Sequence, residues 1–537
     1  MSRPASERLQ FGIDRLVVSG ARIFGWGWIA DPKRAIHEVH VHLHGPGWRK
    51  RLGAMFGIVR EDVAAAFPGY VAARQSGFVV TGYLPGPAVE GVALEATFED
   101  GTRETFDLGN IAEVREAARA WRHTPARLAR SAWRRLKARD FSGLLGRNEG
   151  ATLPSADGAE GRKALANALQ GTQAVRIIFD HDMGGGANHF RRGIIARWQE
   201  AGEAALLCTY NLGTLDYRFR VHVAGRPDRE FRASNFLALE PILQDAPVGE
   251  LFVNSPVAFD QPALFADWLA RMRERHPRMR LTVTVHDYLA ICPSFVLLDA
   301  DGAFCGVPDI ATCEKCLERH GAAHVAFSPP TRMAPWREAW GRCLRAADEV
   351  RCFSESSRAL LVKAYPSLAR DSVNVVPHRL EFSPRRPGVR HRDPITIGIV
   401  GQINLQKGAG IVADLMRQLE RRRVDARVVI IGALEIPLRS SRLEVTGPYK
   451  REDLPGLVES HGINMMLFPS IWPETFSYVV AEMMAMQLPI VAFDLGAPAE
   501  RLRGYPLARL VAKVDADAAL DAMLAFHRSL AAEAEAA

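Results

Sequence analysis

Between residues 8 and 110 apolar and polar positions alternate in short runs. HEVHVHLHG (37–45), GFVVTGYL (77–84) and VALEATFEDGTRETFDL (92–108) have the period of two that sends successive side chains to opposite faces of a strand. Asp100-Gly101 falls between two such runs, where a tight hairpin turn belongs. Short strands over about 100 residues predict a small β-sandwich. The period then lengthens. Over 111–147 Leu128, Ala132, Trp133 and Leu136 share one helical stripe with arginines around it, and Pro125 divides the segment into two helices. Residues 148–165 are small and polar and read as a linker.

From 172 onward apolar runs alternate with helical patterns. AVRIIFD (174–180), AALLCTY (204–210), ELFVNS (250–255) and RLTVTVHD (280–287) read as buried parallel strands. A second series follows: EVRCFS (349–354), ITIGIVG (395–401), ARVVIIG (426–432), NMMLFPS (464–470) and PIVAFD (489–494). Two such series predict two doubly wound, Rossmann-like α/β sheets facing each other across a cleft, with a Pro- and Arg-rich break at 375–394. The expected parts are a β-sandwich at 8–110, a basic helical connector and linker at 111–165, a first Rossmann-like α/β domain at 166–385, and a second at 386–537. A Cys-rich insertion, 288–320, interrupts the first of these.

Composition narrows the class. The chain has 537 residues, 48% apolar and 24% charged, which is the balance of a soluble globular protein. No stretch approaches the ~20 uncharged apolar residues of a membrane span, and charges interrupt MSRPASERLQFGIDRL where a signal peptide is apolar. A cytoplasmic location is expected. Ten Arg and Lys against three acids in 111–147 equal the net charge of +7 of the whole chain. With Trp121 and Trp133 that helix suits anionic lipid headgroups, making the protein peripheral at the inner face of the membrane; a solvated connector is the alternative. No nucleic-acid recognition module accompanies the charge.

Candidate chemistry gathers at strand ends. Phe468-Pro-Ser-Ile-Trp-Pro-Glu474-Thr-Phe-Ser-Tyr-Val-Val-Ala-Glu482 leaves a strand near 470 and enters a helix expected to start near Thr475. The free N–H groups of that start, at Thr475, Phe476 and Ser477, suit a diphosphate. Glu474 in the loop suits sugar hydroxyls, and Glu482, two turns into the helix, suits the two hydroxyls of a ribose. Gly401-Gln402-Ile-Asn-Leu-Gln-Lys407-Gly408 is a glycine-bearing strand-to-helix turn with one lysine to neutralise phosphate. Gly184-Gly185-Gly186 after Asp180 lets a ligand approach backbone closely. His286 ends the strand before Asp287-Tyr288 and, as a neutral imidazole, can donate to a sugar hydroxyl.

Together these segments resemble the family 4 glycosyltransferases of bacteria, retaining enzymes of the GT-B fold, over about 172–515 and most strongly over 395–500. Glu474 to Glu482 looks like the family's Glu-x7-Glu motif, followed by MMAMQLPIVAFDLGAPAE. Lys407 falls in its Gly-Arg-x4-Lys-Gly element, with the departure that Gln402 stands where arginine is usual. Gly185 and Gly186 resemble the loop that faces the transferred sugar and phosphate, and His286 matches the active-site histidine. The resemblance implies transfer of a hexose-type sugar from a nucleotide diphosphate sugar to a glycan or lipid-linked acceptor, in surface polysaccharide or lipopolysaccharide O-antigen synthesis. No cofactor is required for transfer, and Asp299-Ala-Asp301 reads as a turn rather than a metal motif. A GT-B sugar-nucleotide epimerase and a non-catalytic glycan-binding scaffold are the rivals.

Two features lie beside this chemistry. Cys292, Cys305, Cys313 and Cys316 have a C-x12-C-x7-C-x2-C spacing able to hold a structural zinc, with buried free thiols or disulfides as alternatives. The front β region resembles accessory modules found at the start of some bacterial glycosyltransferases. Trp26 and Trp28 are expected to pack in or beside its small core, with stacking on a sugar ring the alternative.

Overall fold

A computed structural model of the protein describes residues 9–114, 153–320, 331–368, 372–380, 384–389, 394–436 and 438–536. The expected basic helix, with Trp121 and Trp133, lies outside the described residues from 115 onward. Two compact units are formed, one of residues 1–282, 321–331 and 346–348, the other of 283–320, 332–345 and 349–537.

The first unit opens with two antiparallel sheets around one core. β1 (Gln10–Ser19), β2 (Arg22–Ala30), β5 (Met55–Ile58) and β6 (Gly77–Tyr83) are ordered β1-β2-β6-β5. β3 (Ile36–Gly45), β4 (Trp48–Gly53), β7 (Gly91–Phe98) and β8 (Arg103–Asp107) are ordered β4-β3-β7-β8. The alternation of β3 explains its place: Val39, Val41 and Leu43 enter the core, and His42 and His44 sit on the other face opposite Arg51 and Arg49 of β4. The Asp100-Gly101 turn forms as expected, with Gly101 at φ +80° and Phe98 N donating to Thr102 O at 2.9 Å. Trp28 is buried with Val63, Ala73, Phe67 and Tyr70, so it packs rather than stacks on a sugar.

The α/β part of this unit contains β9 (Val175–Asp180), β10 (Ala204–Asn211), β11 (Asp216–His222), β12 (Arg229–Ala233), β13 (Val248–Val253) and the start of β14 (Arg280–Thr284). Their order is β12-β11-β10-β9-β13-β14, and β10 and β13 flank β9 in parallel. The runs at 174–180, 204–210 and 250–255 pair in parallel as expected, and at the edge two strands not predicted from the sequence, β11 and β12, run antiparallel. Residues 212–215 are all that join β10 to β11, far short of the dozen or so a parallel crossover needs. Helices α1 (Gly185–Glu200) and α2 (Pro262–Arg275) cover the sheet. Phe179 anchors an aromatic core 4.8 Å from Phe265 and 6.0 Å from Trp268.

In the second unit β14 is followed in its sheet by β15 (Glu349–Cys352) and β16 (Val373–Val375). EVRCFS therefore belongs with β14 and not with the later strand series. A helix α3 (Ile310–Arg319) lies in the Cys-rich stretch, and α4 (Glu355–Ala364) follows β15. β17 (Ile395–Ile403), β18 (Ala426–Leu434), β19 (Leu443–Val445), β20 (Met465–Phe468), β21 (Ile490–Phe493) and β22 (Ala508–Val511) form a six-stranded parallel sheet in the order β19-β18-β17-β20-β21-β22. Val428 and Ile430 enter one core and Val429 and Ile431 the other, which is why this strand reads as one continuous apolar run. Helices α5 (Ala409–Arg421), α6 (Leu454–Ser460), α7 (Tyr478–Ala485), α8 (Gly496–Leu502) and α9 (Ala516–Ala536) complete the unit. Among the described residues no helix is long and apolar enough to cross a membrane.

Candidate active site

Strand order fixes where a ligand belongs in the six-stranded sheet. The chain winds outward from β17 through β18 to β19, then returns to the other side of β17 for β20, β21 and β22. Crossovers leave β17 and β20 in opposite directions, so a crevice opens at their carboxyl ends. The residues that follow these two strands are the Gly401–Gly408 turn and the Pro469–Ser477 loop.

The two loops are built to touch. Gly408 caps α5 at φ +85°, and a Cβ there would lie 2.0 Å from the carbonyl oxygen of Pro469. Asn404 accepts from the Lys407 backbone N–H at 3.1 Å and closes the turn. On the far side Gly496, at φ +64°, packs against Pro473 and Glu474, and Ala497 N donates to Glu474 O at 2.9 Å. Glu474 is buried, and burial pushes its carboxyl up from the ordinary range. The Lys407 ammonium and the side chains of Ser470, Trp472 and Ser477 oppose that shift. The turn that carries Lys407 and the loop that carries Glu474 are thus brought together, with Ile471 N donating to Gln406 O at 3.0 Å.

The start of the helix differs from expectation. α7 begins at Tyr478, three residues beyond Thr475, because the hydroxyl of Ser477 accepts from Val480 N and makes Ser477 the N-cap. Thr475 does different work, donating from Oγ1 to His286 O at 2.9 Å. Tyr288 Oη donates to Pro473 O at 2.7 Å, a second tie between the end of β14 and this loop. His286 packs 4.4 Å from the ring of Phe353 and 5.3 Å from that of His378. His378 continues the cluster to Phe476 at 4.7 Å and Tyr478 at 5.3 Å.

Glu482 is not the solvated acid that an isolated glutamate on a helix would be. It is 1% exposed, with Oε1 2.8 Å from Nε of Arg451. Burial raises its pKa, and the guanidinium opposes the rise. Gln402 donates to Glu435, whose own carboxyl burial pushes up while Gln402 and Lys407 pull it down. Arg451, His378 and Glu435 were not singled out from sequence. His378 and Glu435 lie in loops and Arg451 opens a short 3-10 turn, and only the polar run around Arg451 just before α6 offered a signal.

Gly185 and Gly186 belong to the first unit, where they begin α1 with open space around Gly184 and Gly185. A buried network shapes the turn. Asn188 accepts from Gly184 N at 2.7 Å and donates to Asp180 at 3.0 Å, and Arg191 bonds Asp180 and Asp182 at 3.0 Å each.

In the second unit none of Cys292, Cys305, Cys313 and Cys316 is in a disulfide. Burial raises all four thiols, that of Cys292 to about 12. Among the described residues no three or more His, Cys, Asp or Glu are gathered to hold a metal. Asp299 and Asp301 form a turn, as expected: Asp299 accepts from Asp301 N at 2.9 Å and from Ala303 N at 3.0 Å, and Asp301 pairs with Arg319 at 2.7 Å.

Residues 394–529 match the family described as Glycosyl transferases group 1. A sequence comparison with curated proteins finds no match. Similar solved structures include sucrose-phosphate synthase from Thermosynechococcus elongatus, 16% identical over 67% of this chain and 92% of that one, with a TM-score of 0.44. Anabaena HepE in complex with UDP and glucose is 14% identical over 67% and 94%, TM-score 0.42. The lipopolysaccharide outer core galactosyltransferase WaaB is 12% identical over 62% and 83%, TM-score 0.39. An all-β region thus precedes a mixed α/β sheet and a six-stranded parallel α/β sheet, and residues 394–529, which contain the parallel sheet, match the glycosyl transferases group 1 domain.

Proposed function

We propose that the chain is a retaining glycosyltransferase of family 4. It transfers a hexose-type sugar from a nucleotide diphosphate sugar to a glycan or lipid-linked acceptor in bacterial surface polysaccharide synthesis. The observation that carries this reading is the contact between the Lys407 turn and the Glu474 loop at the reversal of strand order, inside the group 1 domain. In this reading the Lys407 ammonium and the first N–H groups of α7 neutralise the donor diphosphate. Gln402 supplies no charge there, so more of that work falls to Lys407. Glu474 accepts from hydroxyls of the transferred sugar, Glu482 takes the ribose diol, and His286 donates to a hydroxyl near the anomeric carbon. Gly185, open at its Cβ position, and Gly186 are read as donor-binding residues of the first unit.

As the bond from the anomeric carbon to the diphosphate oxygen breaks, the acceptor oxygen bonds to that carbon from the same face. The departing diphosphate takes the acceptor's proton, so the protein supplies no covalent nucleophile. Catalysis then rests on electrostatic support of the leaving group. The protein works in the cytoplasm, where nucleotide sugars are available, and the 111–147 segment brings it to anionic membrane carrying a lipid-linked acceptor.

Thermal-shift titration against nucleoside diphosphates and their sugars tests the donor site. One base class is expected to stabilise the protein, with at least about a tenfold weaker apparent affinity in Lys407→Ala. No stabilisation by any of them would reject the reading. NMR of the product should show the donor's anomeric configuration retained.

A further inference from the structure

Glu482 and Arg451 form a pair that the transfer chemistry alone does not require. A carboxylate that recognises a vicinal diol must accept two hydrogen bonds, so it has to be ionised and correctly turned. Glu482 is poorly placed for the first condition. It lies on α7 at 1% exposure, and burial favours its neutral form, which would donate a proton where an acceptor is needed. Two titratable groups from neighbouring segments bear on it. One is the Tyr449 phenol, which is itself pushed up to about 12 and brings no charge at neutral pH; the other is Arg451.

Arg451 meets both conditions. Its Nε stands 2.8 Å from Glu482 Oε1, and its guanidinium lies 5.0 Å from the ring centre of Tyr478, one turn before Glu482 on the same helix. The cation is therefore held by stacking on α7 and by the carboxylate it serves. Its side chain is 32% exposed against 2% for Glu482, so the pair is wet on one side only.

We propose that Arg451 is a positioning residue for ribose recognition, gripping one oxygen of Glu482 and leaving the other to accept from the 2′- and 3′-hydroxyls of a nucleoside diphosphate. This rests on the donor reading above and adds to it the residue that makes the second glutamate of the motif serviceable. A lysine can supply the charge but not the flat stacking face, so it restores the effect only in part.

The test is calorimetric titration of the full chain with UDP, ADP and GDP, each beside its 2′-deoxy counterpart, from about pH 5.5 to about pH 8.5. Wild type is expected to prefer one ribonucleotide by about tenfold at every pH. In Arg451→Met nothing opposes the upward shift of Glu482. The preference should survive at the alkaline end and vanish as pH falls and the carboxyl protonates. Arg451→Lys should recover most of the acid-side preference, and Glu482→Gln should show no preference at any pH. A flat tenfold preference in Arg451→Met would overturn the positioning role and leave the donor reading intact. A wild type that binds none of the three ribonucleotides would overturn the donor reading, and this inference with it.

Discussion

Gly408 shows how much of the candidate site depends on a missing side chain. Its φ of +85° is costly for other residues, and its Cβ position is occupied by a backbone oxygen that cannot rotate away. Gly408→Ala is expected to cost about 2–4 kcal/mol in urea unfolding and to weaken donor binding by moving Lys407. Unchanged stability would show that the two loops are not in contact. At this scale the sequence was most informative where a residue repeated a pattern. Lys407, Glu474 and Glu482 stood out by spacing, whereas Arg451 and His378 had no partner at a fixed offset to mark them. Their roles come from segments far apart in the chain, such as His378 against Phe353 and Phe476. Trp28 was legible because a tryptophan in a small β region is more easily buried than displayed.

Elements with a simple hydrophobic rhythm were read closely. The apolar runs at 174–180, 204–210, 395–401 and 426–432 all became strands. The edge hairpin β11–β12 was missed because its buried positions, among them Tyr217, Phe219 and Val221, alternate with arginines and look like surface. The start of α7 was set three residues early because Thr475 and Ser477 are both plausible caps, and the tie from Thr475 to His286 decides between them. A comparable cap holds α3 in the Cys-rich stretch, where Asp309 accepts from Thr312 N at 3.0 Å and from Thr312 Oγ1 at 2.8 Å. Asp309→Ala should destabilise the protein by about 1 kcal/mol, read as a lowered urea midpoint. The absence of any shift would mean that α3 does not depend on its cap.

At the scale of the whole molecule the front β region is not a loose attachment within its unit. Arg22, 3% exposed on β2, donates from Nη2 to Ala258 O at 3.1 Å and lies 4.5 Å from the ring centre of Tyr210 on β10. Tyr83 Oη donates to Asp260 O at 2.9 Å. Arg22→Ala removes a charge-assisted hydrogen bond and a desolvated cation–π contact, together about 2–4 kcal/mol. Denaturant unfolding followed by tryptophan fluorescence should show that loss; an unaltered curve would mean the β region and the α/β strands unfold separately. The ties from Tyr288 to Pro473 and from Thr475 to His286 span 185 and 189 residues of chain. A ribosome adding about 5–20 residues each second makes the histidine strand roughly 10–40 seconds before the loop it must meet. For that interval a newborn chain holds the end of β14 without the loop it is tied to, and both ties can close only once that loop has been made.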